Sequence, residues 1–471
     1  MTFARGVVIA CLLAGTWASM RTVYQNRPLQ FLQNTTGPES PGDPLFLTPF
    51  IEDGQIDLAK HLAKVGPLKG HNVPSYSGYL TVNKTTESNM FFWFFPAYNN
   101  ARQAPIILWL QGGPGGSSLF GLFVEHGPYK ITAHQFARLR RITWAQQFNM
   151  LYIDNPVGTG FSFTKTDDGY VTNETEVGRD LFEALQQFFT LFSEYAQNDF
   201  YVTGESYAGK YVPAAAYTIH KNKGKAKMKL AGIAIGDGLC DPATMFDYAD
   251  FLLQIGLLDN TQATHFRTEQ NKAKTYIEQG DYISAFKIFD ELLNGDKLNG
   301  TQSYFKQVTG LDVYYNFLLT KEPASFSYYN TFVQTPQTRR AIHVGNMTYN
   351  DGSIVEMRLE GDIMRSVKPW IAELMNNYKV MIYNGQLDII IAAPLTASFV
   401  NSIPWDGANA LAETQRIIWR SKLNGDPAGY VRKVNRFTEV LVRNAGHILP
   451  YDQPHNAYDM IDRFVNDKPF D

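Results

Sequence analysis

The chain has 471 residues, 44% of them hydrophobic and 18% charged, with a formal net charge of -3 at pH 7. This composition indicates a folded protein with a sizeable core and argues against overall disorder. The slight negative charge argues against a general polyanion-binding protein, so nucleic acid is not an expected partner.

The first residues resemble a secretory signal. Arg5 is followed by a short apolar run and then by the small residues Ala18 and Ser19, which is the order of a cleaved signal peptide. We therefore expect residues 1–19 to be removed, and the alternative is a buried N-terminal helix. The apolar run is too short to span a bilayer, and we expect no membrane span elsewhere in the chain.

Acceptor sequons also favour the secretory route. The expected location is the secretory pathway, with a secreted protein or one in an acidic lysosomal, endosomal or granule lumen as its end point. Once the signal is removed, Cys240 is the one cysteine left, and we expect it to be a small buried side chain. The candidate N-glycosylation sites are Asn34, Asn83, Asn173, Asn299 and Asn346.

Residues 20–50 are rich in proline, asparagine and glycine, which predicts a poorly ordered arm. From about residue 75, apolar strands alternate with helical patterns, as in a largely parallel sheet covered by helices on both faces. We expect this α/β core to cover residues 51–239 and 371–471. Strands are predicted within 104–113, 148–162, 200–205, 228–238, 378–391 and 437–450, and helices within 174–195, just after Ser206, and from Pro454 onward.

The alternation stops between residues 240 and 370. The stretches "FLLQIGLL", "ISAFKIFDELL" and "DVYYNFLL" predict helices joined by loops. We expect this segment to be a mainly helical domain inserted over the sheet.

Residues 200–209 predict a strand that runs directly into a glycine-bounded turn. The apolar start of "FYVTGESYAG" suits a buried strand, and Gly204 and Gly209 bracket Ser206. A serine on a tight strand-to-helix turn is typical of a nucleophile elbow. The match is to a variant, because Ala208 occupies the second small position, and a plain strand–turn–helix connection is the alternative.

A nucleophilic serine needs a histidine base and an acid that orients it. In the hydrolase order, the acid and then the histidine follow the serine, each at the end of a later strand. Asp388 comes directly after the strand "KVMIYNG", and His447 comes directly after "TEVLVRN". The carboxyl ends of parallel strands form the sites of α/β proteins, so we predict a catalytic set of Ser206, Asp388 and His447.

The glycine-rich loop "LWLQGGPGGSS" at residues 108–118 is suited to an oxyanion hole, because glycine lets backbone N–H groups approach a substrate. The second donor of such a site is the N–H after the nucleophile, here Tyr207. A phosphate cradle is the alternative, but the lysine of a P-loop is missing. The chain has no HExxH motif, and we expect no metal and no cofactor.

With these residues in hand, the chain resembles the serine carboxypeptidases, and most of all their vitellogenic carboxypeptidase-like members. The resemblance spans about residue 75 to the C-terminus and implies an α/β-hydrolase fold with a mainly helical inserted domain. It also implies that Ser206, Asp388 and His447 form the triad. The matching stretches are "SGYLTV", "PIILWLQGGPGGSSLFGLFVEHGPY", "FNMLYIDNPVGTGFSF", "YVTGESYAGKYVP", "IAIGDGLCDP", "VMIYNGQLDII" and "VRNAGHILPYDQP".

The family removes one residue from a free peptide C-terminus, so the resemblance also implies a carboxylate-binding site. Gln111, Gly112 and Glu205 match the residues that hold the carboxylate, and Glu125 matches an acid paired with Glu205. Gly113 and Tyr207 match the oxyanion donors. The family usually has Asn where Gln111 stands and Cys where Gly116 stands. Because Cys240 is the one cysteine left after removal of the signal, the disulfide framework of the family is absent here.

The expected activity is that of a serine-type carboxypeptidase favoured at acid pH, because two glutamates and a substrate carboxylate would repel one another when all are charged. The expected partners are peptide or protein C-termini and, as a homodimer, a second copy of the chain. Two alternatives stay open. One is an acyltransferase or esterase on the same scaffold, and the other is a non-catalytic protective or binding protein.

Overall fold

The computed structural model of the chain describes residues 40–298 and 300–470. The expected signal at residues 1–19, most of the N-terminal arm, and the sequons at Asn34 and Asn299 lie outside these ranges. The other three sequons are described. Asn346 is exposed, whereas Asn83 and Asn173 are half-buried.

Two types of strand pairing build the main sheet. In the described ranges it has ten strands in the spatial order β1-β2-β6-β3-β8-β9-β11-β14-β13-β12. The six central strands from β6 to β14 are parallel to one another, and the outer pairs are antiparallel. Two small antiparallel pairs, β4-β5 and β7-β10, lie outside it. The strands are β1 Tyr76–Asn83, β2 Ser88–Phe95, β3 Ile106–Leu110, β4 Tyr129–Ile131, β5 Ala137–Leu139, β6 Asn149–Ile153, β7 Thr159–Gly160, β8 Asp199–Glu205, β9 Lys229–Gly236, β10 Asn350–Asp351, β11 Lys379–Gly385, β12 Ile417–Arg420, β13 Pro427–Val434 and β14 Phe437–Val442.

Helices connect the strands, and eight of those described lie between β9 and β11. The α-helices are α1 Thr48–Glu52, α2 Ile56–Leu62, α3 Glu174–Leu191, α4 Ala208–Lys221, α5 Tyr248–Gln254, α6 Asn260–Gln279, α7 Tyr282–Phe289, α8 Tyr304–Thr309, α9 Tyr328–Val333, α10 Pro336–Ala341, α11 Ser353–Ile363, α12 Lys368–Asn377, α13 Ala393–Asn401, α14 Ala408–Glu413, α15 Leu449–Asp452 and α16 Pro454–Val465. Short 3-10 turns are Trp144–Gln146, Asp167–Gly169, Ser193–Tyr195 and Ala324–Phe326, and π-helical turns are Gly121–Glu125 and Asp290–Asn294.

The α/β-hydrolase prediction is confirmed. Strands such as β3 are buried along their whole length, because helices cover both faces of a parallel sheet and leave no polar side for solvent. The helical spacing at 174–195 corresponds to α3, which places Phe188 against Phe92 and Phe94 of β2, with ring centroids 5.8 Å and 5.0 Å apart. Side chains from both elements thereby build the core on one face of the sheet.

The end of the N-terminal arm is more ordered than its composition indicates. Leu47 is fully buried, and its N–H donates to the carbonyl of Tyr79 in β1 at 2.9 Å. Thr48 opens α1 and donates a side-chain hydrogen bond to Gln187 of α3 at 2.6 Å. The prediction of a poorly ordered arm up to residue 50 is therefore wrong for the end of the arm, because one buried leucine and one buried threonine fix that end to the core.

The helix predicted from "DVYYNFLL" is also wrong. This stretch is irregular, and its backbone bonds to the loops that follow two sheet strands. The carbonyl of Tyr314 accepts from Ile389 N–H at 3.2 Å, and the carbonyl of Tyr315 accepts from His447 N–H at 2.6 Å. These long-range partners use the groups that a helix would have paired locally. The segment therefore forms a wall beside the ends of β11 and β14.

Within the described residues, none of the helices has the length and apolar character that crossing a bilayer requires. Cys240 is buried and free, and its Sγ lies 3.3 Å from the carbonyl of Gly209, which agrees with its expected role as a small buried side chain.

Candidate active site

Three of the predicted functional residues lie in loops at one edge of the sheet. Ser206 follows β8, Asp388 follows β11, and His447 follows β14. These strands are parallel and lie close together in the order β8-β9-β11-β14, so their carboxyl ends face the same side. All three side chains are fully buried.

Ser206 occupies a strained turn between β8 and α4. Its φ is 62°, in the left-handed region that side chains other than glycine, asparagine and aspartate seldom adopt. Backbone bonds hold the turn: Ser206 N–H donates to the carbonyl of Gly236 at 3.1 Å, and the Ser206 carbonyl accepts from Gly209 N–H at 2.9 Å and Leu239 N–H at 3.0 Å. This is the geometry of a nucleophile elbow, in which strain is stored at a functional residue.

Asp388 and His447 are joined directly. His447 Nδ1 lies 2.7 Å from Asp388 Oδ2, and Asp388 Oδ1 accepts from Ile391 N–H at 3.3 Å. Burial lowers the pKa of His447, but the charge and hydrogen bond of Asp388, and then the charge of Glu205, raise that pKa above its usual value. The imidazole is therefore oriented by an acid that also stabilises its charged form.

Ser206 Oγ and His447 Nε2 are the atoms through which these two residues would react. Both atoms are buried, and neither has a hydrogen-bond partner among the described residues. An unpaired hydroxyl and an unpaired ring nitrogen are costly to bury. Catalytic hydrogen bonds are often long in unliganded enzymes and tighten when substrate binds.

The glycine-rich loop touches the elbow. A Cβ atom on Gly112 would lie 2.5 Å from Tyr207 N and 2.6 Å from Ser206 Cβ, so no larger residue fits here without displacing the backbone. Gly113 has a φ of 120°, also in the region that favours glycine. The structure thus brings Gly113, which follows β3, close to the turn that carries Tyr207.

The residues predicted to bind a carboxylate form a buried polar cluster beside the elbow. Gln111 Nε2 donates to Glu205 Oε1 at 2.7 Å, while Gln111 Oε1 accepts from Trp109 Nε1 at 2.8 Å. Glu125 ends the π-helical turn Gly121–Glu125 and is fully buried. Burial and the neighbouring Glu205 raise the pKa of Glu125 well above its usual value, and this effect outweighs Gln111 and Arg140, which lower it.

Asp237 is a site residue that the sequence reasoning missed. It follows β9, the strand between β8 and β11, and its side chain is fully buried. Asp237, Asp388 and His447 offer ligand-type atoms within 4.8 Å of one another. Such a group could in principle hold a cation, but His447 Nδ1 is already committed to Asp388, which favours a hydrogen-bonded set. The available signal was its place after a strand, in "IAIGDG", as for Asp388 and His447.

Tyr315 is the second residue that was missed. Its ring stacks on His447 with centroids 5.5 Å apart, and its carbonyl accepts the His447 N–H. The sequence pattern did not indicate this contact with His447, because Tyr315 belongs to the stretch that is predicted to be helical.

A small cavity opens beside the elbow and the glycine-rich loop. Gly113 and Tyr207 line it near the elbow, and Leu239, Phe289 and Ile391 form part of its apolar wall. A concave, mostly apolar space next to a few polar groups is the usual form of a small-ligand site.

The amino-acid sequence is similar to a family model and to several known proteins. The family model described as serine carboxypeptidase matches residues 67–467. The chain is 54% identical over 434 residues to a human protein named probable serine carboxypeptidase CPVL, covering 91% of each chain. It is 49% identical to the venom serine carboxypeptidase of Apis mellifera, covering 92% of this chain and 93% of the relative. It is 43% identical to the vitellogenic carboxypeptidase of Aedes aegypti, covering 93% of each.

A solved structure supports the fold. The crystal structure of Kex1(delta)p, a prohormone-processing carboxypeptidase from Saccharomyces cerevisiae, superposes with a TM-score of 0.76 at 23% identity. The match covers 87% of this chain and 96% of that one.

Proposed function

Because the chain belongs to the serine carboxypeptidase family and is a hydrolase of that class, we propose that Ser206, Asp388 and His447 are its catalytic triad. In this proposal it releases C-terminal residues from peptides or proteins. The observation that carries the proposal is the cluster of Gln111, Glu205 and Glu125 directly beside the elbow, because an amide and protonated glutamates supply the donors that a substrate carboxylate needs.

The proposed reaction proceeds through an acyl-enzyme. His447 Nε2 takes the proton of Ser206 Oγ as the oxygen attacks the carbonyl carbon of the last peptide bond. Asp388 holds the Nδ1–H and stabilises the imidazolium. The C–N bond then breaks, His447 gives its proton to the departing amine, and the C-terminal amino acid leaves. Water, activated by the same histidine, hydrolyses the ester and restores Ser206.

Backbone donors stabilise the charge that develops during both steps. We assign the oxyanion hole to the N–H groups of Gly113 and Tyr207. Contact between the glycine-rich loop and the elbow supports this assignment, since it brings the two segments together before substrate arrives. Preorganised donors of this type lower the barrier because they need no rearrangement at the moment of reaction.

We assign recognition of the substrate carboxylate to Gln111, Gly112, Glu205 and Glu125. A carboxylate oxygen needs donors, and a glutamate can donate only when protonated. The raised pKa of Glu125 supports a site that holds a proton at acid pH. Activity is therefore favoured in acid, where the pair of glutamates carries less charge and the substrate carboxylate meets less repulsion.

We also propose that the protein enters the secretory pathway, where it is glycosylated and reaches an acidic lumen or the outside of the cell. The signal-like residues 1–19 and the exposed side chain of Asn346 support this route. A glycosidase that trims N-linked glycans should increase the gel mobility of the protein secreted from cultured cells. Unchanged mobility would contradict the glycoprotein assignment.

The central test is a residue-release assay. Purified protein is incubated at acid pH with a library of N-blocked peptides, and released amino acids are identified by mass spectrometry. Ser206→Ala should lose covalent labelling by a fluorophosphonate and should lower kcat by roughly 10³-fold or more. Peptide amides, which lack the terminal carboxylate, are the matched control and should react far more slowly. Release from esters but never from peptides would instead favour an esterase.

A further inference from the structure

The carboxyl group of Asp237 has no assigned part in the reaction, although it lies beside the triad. Asp237 Oδ1 accepts two hydrogen bonds, from Asn384 Nδ2 and Gly385 N–H, both at 2.7 Å. Its other oxygen, Oδ2, is buried and has no hydrogen-bond donor among the described residues. One oxygen of the carboxyl is thus fully hydrogen-bonded, and the residue as a whole offers a carboxylate oxygen within 4.8 Å of a carboxylate oxygen of Asp388 and a ring nitrogen of His447.

The charged surroundings of Asp237 are mostly acidic. Asp388 faces it from the loop after β11 and Glu205 from the end of β8, while His447, from the loop after β14, is the ionisable base of the group. The hydroxyl of Tyr383 on β11 also lies near it. Burial, the charge of Asp388 and then that of Glu205 raise the pKa of Asp237 well above its usual value, against the effect of Gly385 N–H.

Two adjacent buried carboxyl groups cannot both carry a charge without a large electrostatic cost, so one of them holds a proton. Asp388 is the one bonded to the imidazole at 2.7 Å, which needs an acceptor and therefore favours the ionised form on Asp388. The proton then belongs on Asp237, and the atom that carries it is Oδ2, because Oδ1 already accepts two N–H groups.

We propose that Asp237 is a positioning residue of the triad, a neutral acid whose Oδ2–H donates to Asp388 and fixes that carboxylate against His447. The inference rests on the proposed function, since it assigns Asp388 and His447 their catalytic parts. Asp237 does not touch the substrate. It acts through Asp388, in the way that an outer hydrogen-bond partner orients a ligand or an acid in other sites.

The backbone at this position suggests the right variants. Asp237 has a φ of 43°, a region that asparagine and glycine tolerate better than alanine. Asp237→Asn keeps a carbonyl for Asn384 and Gly385 and replaces the O–H by an N–H donor, so it reproduces the neutral acid. Asp237→Gly removes both the Oδ2 donor and the Oδ1 acceptor of Asn384 and Gly385, without backbone strain. Asp467 offers a matched control, because it has a φ of 53° and an exposed side chain.

The measurement is the rate of fluorophosphonate labelling of Ser206 in the full chain over a range of pH. This probe has no terminal carboxylate, so it reports on the triad separately from Glu125 and Glu205. We expect Asp237→Asn to label within about threefold of the wild type and Asp237→Gly to label about tenfold slower or more. Asp467→Asn and Asp467→Gly should match the wild type.

Two results would overturn the inference. If Asp237→Asn is as slow as Asp237→Gly, the site needs the charge of Asp237 and not its proton. If Asp237→Gly labels as fast as the wild type, Asp237 has no positioning role. Should Asp237→Gly fail to fold, an infrared difference spectrum between wild type and Asp237→Asn at neutral pH decides, because the wild type must show a protonated carboxyl band that the variant lacks. Failure of the proposed triad would differ from all of these, since the wild type itself would not label, and failure of the proposed peptidase activity would appear in the residue-release assay while labelling of the wild type persists.

Discussion

Replacing Glu125 by glutamine tests why this enzyme should prefer acid. Glu125 is fully buried next to Glu205, and its raised pKa means that it stays protonated at acid pH and loses its proton as pH rises. Glu125→Gln keeps the shape and a hydrogen-bond donor but cannot ionise. We expect the variant to have nearly the wild-type KM at acid pH and a lower KM than the wild type at pH values where Glu125 has ionised.

The size of the effect follows from Coulomb's law. Two unit charges about 5 Å apart in a medium with an effective dielectric constant of about 20 repel each other by about 3 kcal/mol. For a substrate carboxylate at this distance from ionised Glu125, the repulsion corresponds to about a 100-fold increase in KM. In the wild type the KM should therefore rise by up to this factor as Glu125 ionises, and in Glu125→Gln this part of the rise should be absent.

Stability provides a second measurement with a defined sign. A carboxyl group whose folded-state pKa is raised favours the folded state most at pH values below its unfolded pKa, and this contribution is lost as pH rises through the folded pKa. The melting temperature of the wild type should therefore fall between acid and neutral pH, and Glu125 should contribute to this fall. The loss should be smaller in Glu125→Gln.

The assay compares KM and kcat for an N-blocked dipeptide over a pH range from acid to alkaline, so that it covers the loss of the Glu125 proton. Glu278→Gln, which removes a charge from the exposed face of α6, is the matched control and should follow the wild type throughout. Parallel KM profiles for wild type and Glu125→Gln would refute the repulsion argument, and the acid preference would then need another cause.

Two further predictions concern the core and the elbow. Phe188→Ala should lower the free energy of unfolding by about 3–5 kcal/mol, read as a lower urea midpoint, because the ring is buried among Phe92, Phe94 and Phe192; a variant as stable as the wild type would contradict this packing. Gly112→Ala should lower kcat by about 100-fold, since its Cβ would lie 2.5 Å from Tyr207 N. Gly224→Ala, where the added Cβ meets nothing within 4 Å, should leave kcat unchanged.

Local pattern was enough to predict the elements that carry the site. The apolar spacing at 174–195 predicted α3, and three residues that each follow a strand, Ser206, Asp388 and His447, fell at one edge of the sheet. Those positions depend on short-range information, because a strand pattern and the residue after it are adjacent in sequence. Their catalytic roles stay predictions until the variants are measured.

Features that depend on distant contacts were not predictable in the same way. The stretch containing Tyr315 has an apolar pattern that suits a helix, but bonds to Ile389 and His447 take up its backbone. The end of the arm is composed like a disordered segment, yet Leu47 binds it to β1. In both cases tertiary contacts overrode local preference, and a single sequence carries no record of those contacts.

The buried acidic residues of the site connect the prediction on carboxylate binding with the inference on the triad. Glu125, Glu205, Asp237 and Asp388 are all fully buried within one site, and ionising all four would leave more negative charge than His447 can balance. The pKa is raised at Glu125 and at Asp237, so one proton is held at the proposed carboxylate site and the other beside the proposed triad. Because Glu125 belongs to the proposed carboxylate site and Asp237 lies beside the proposed triad, loss of the first proton should appear in KM and loss of the second in kcat. A pH profile that reports KM and kcat separately therefore distinguishes binding from positioning. If KM alone changes with pH, Asp237 stays neutral over the whole range measured.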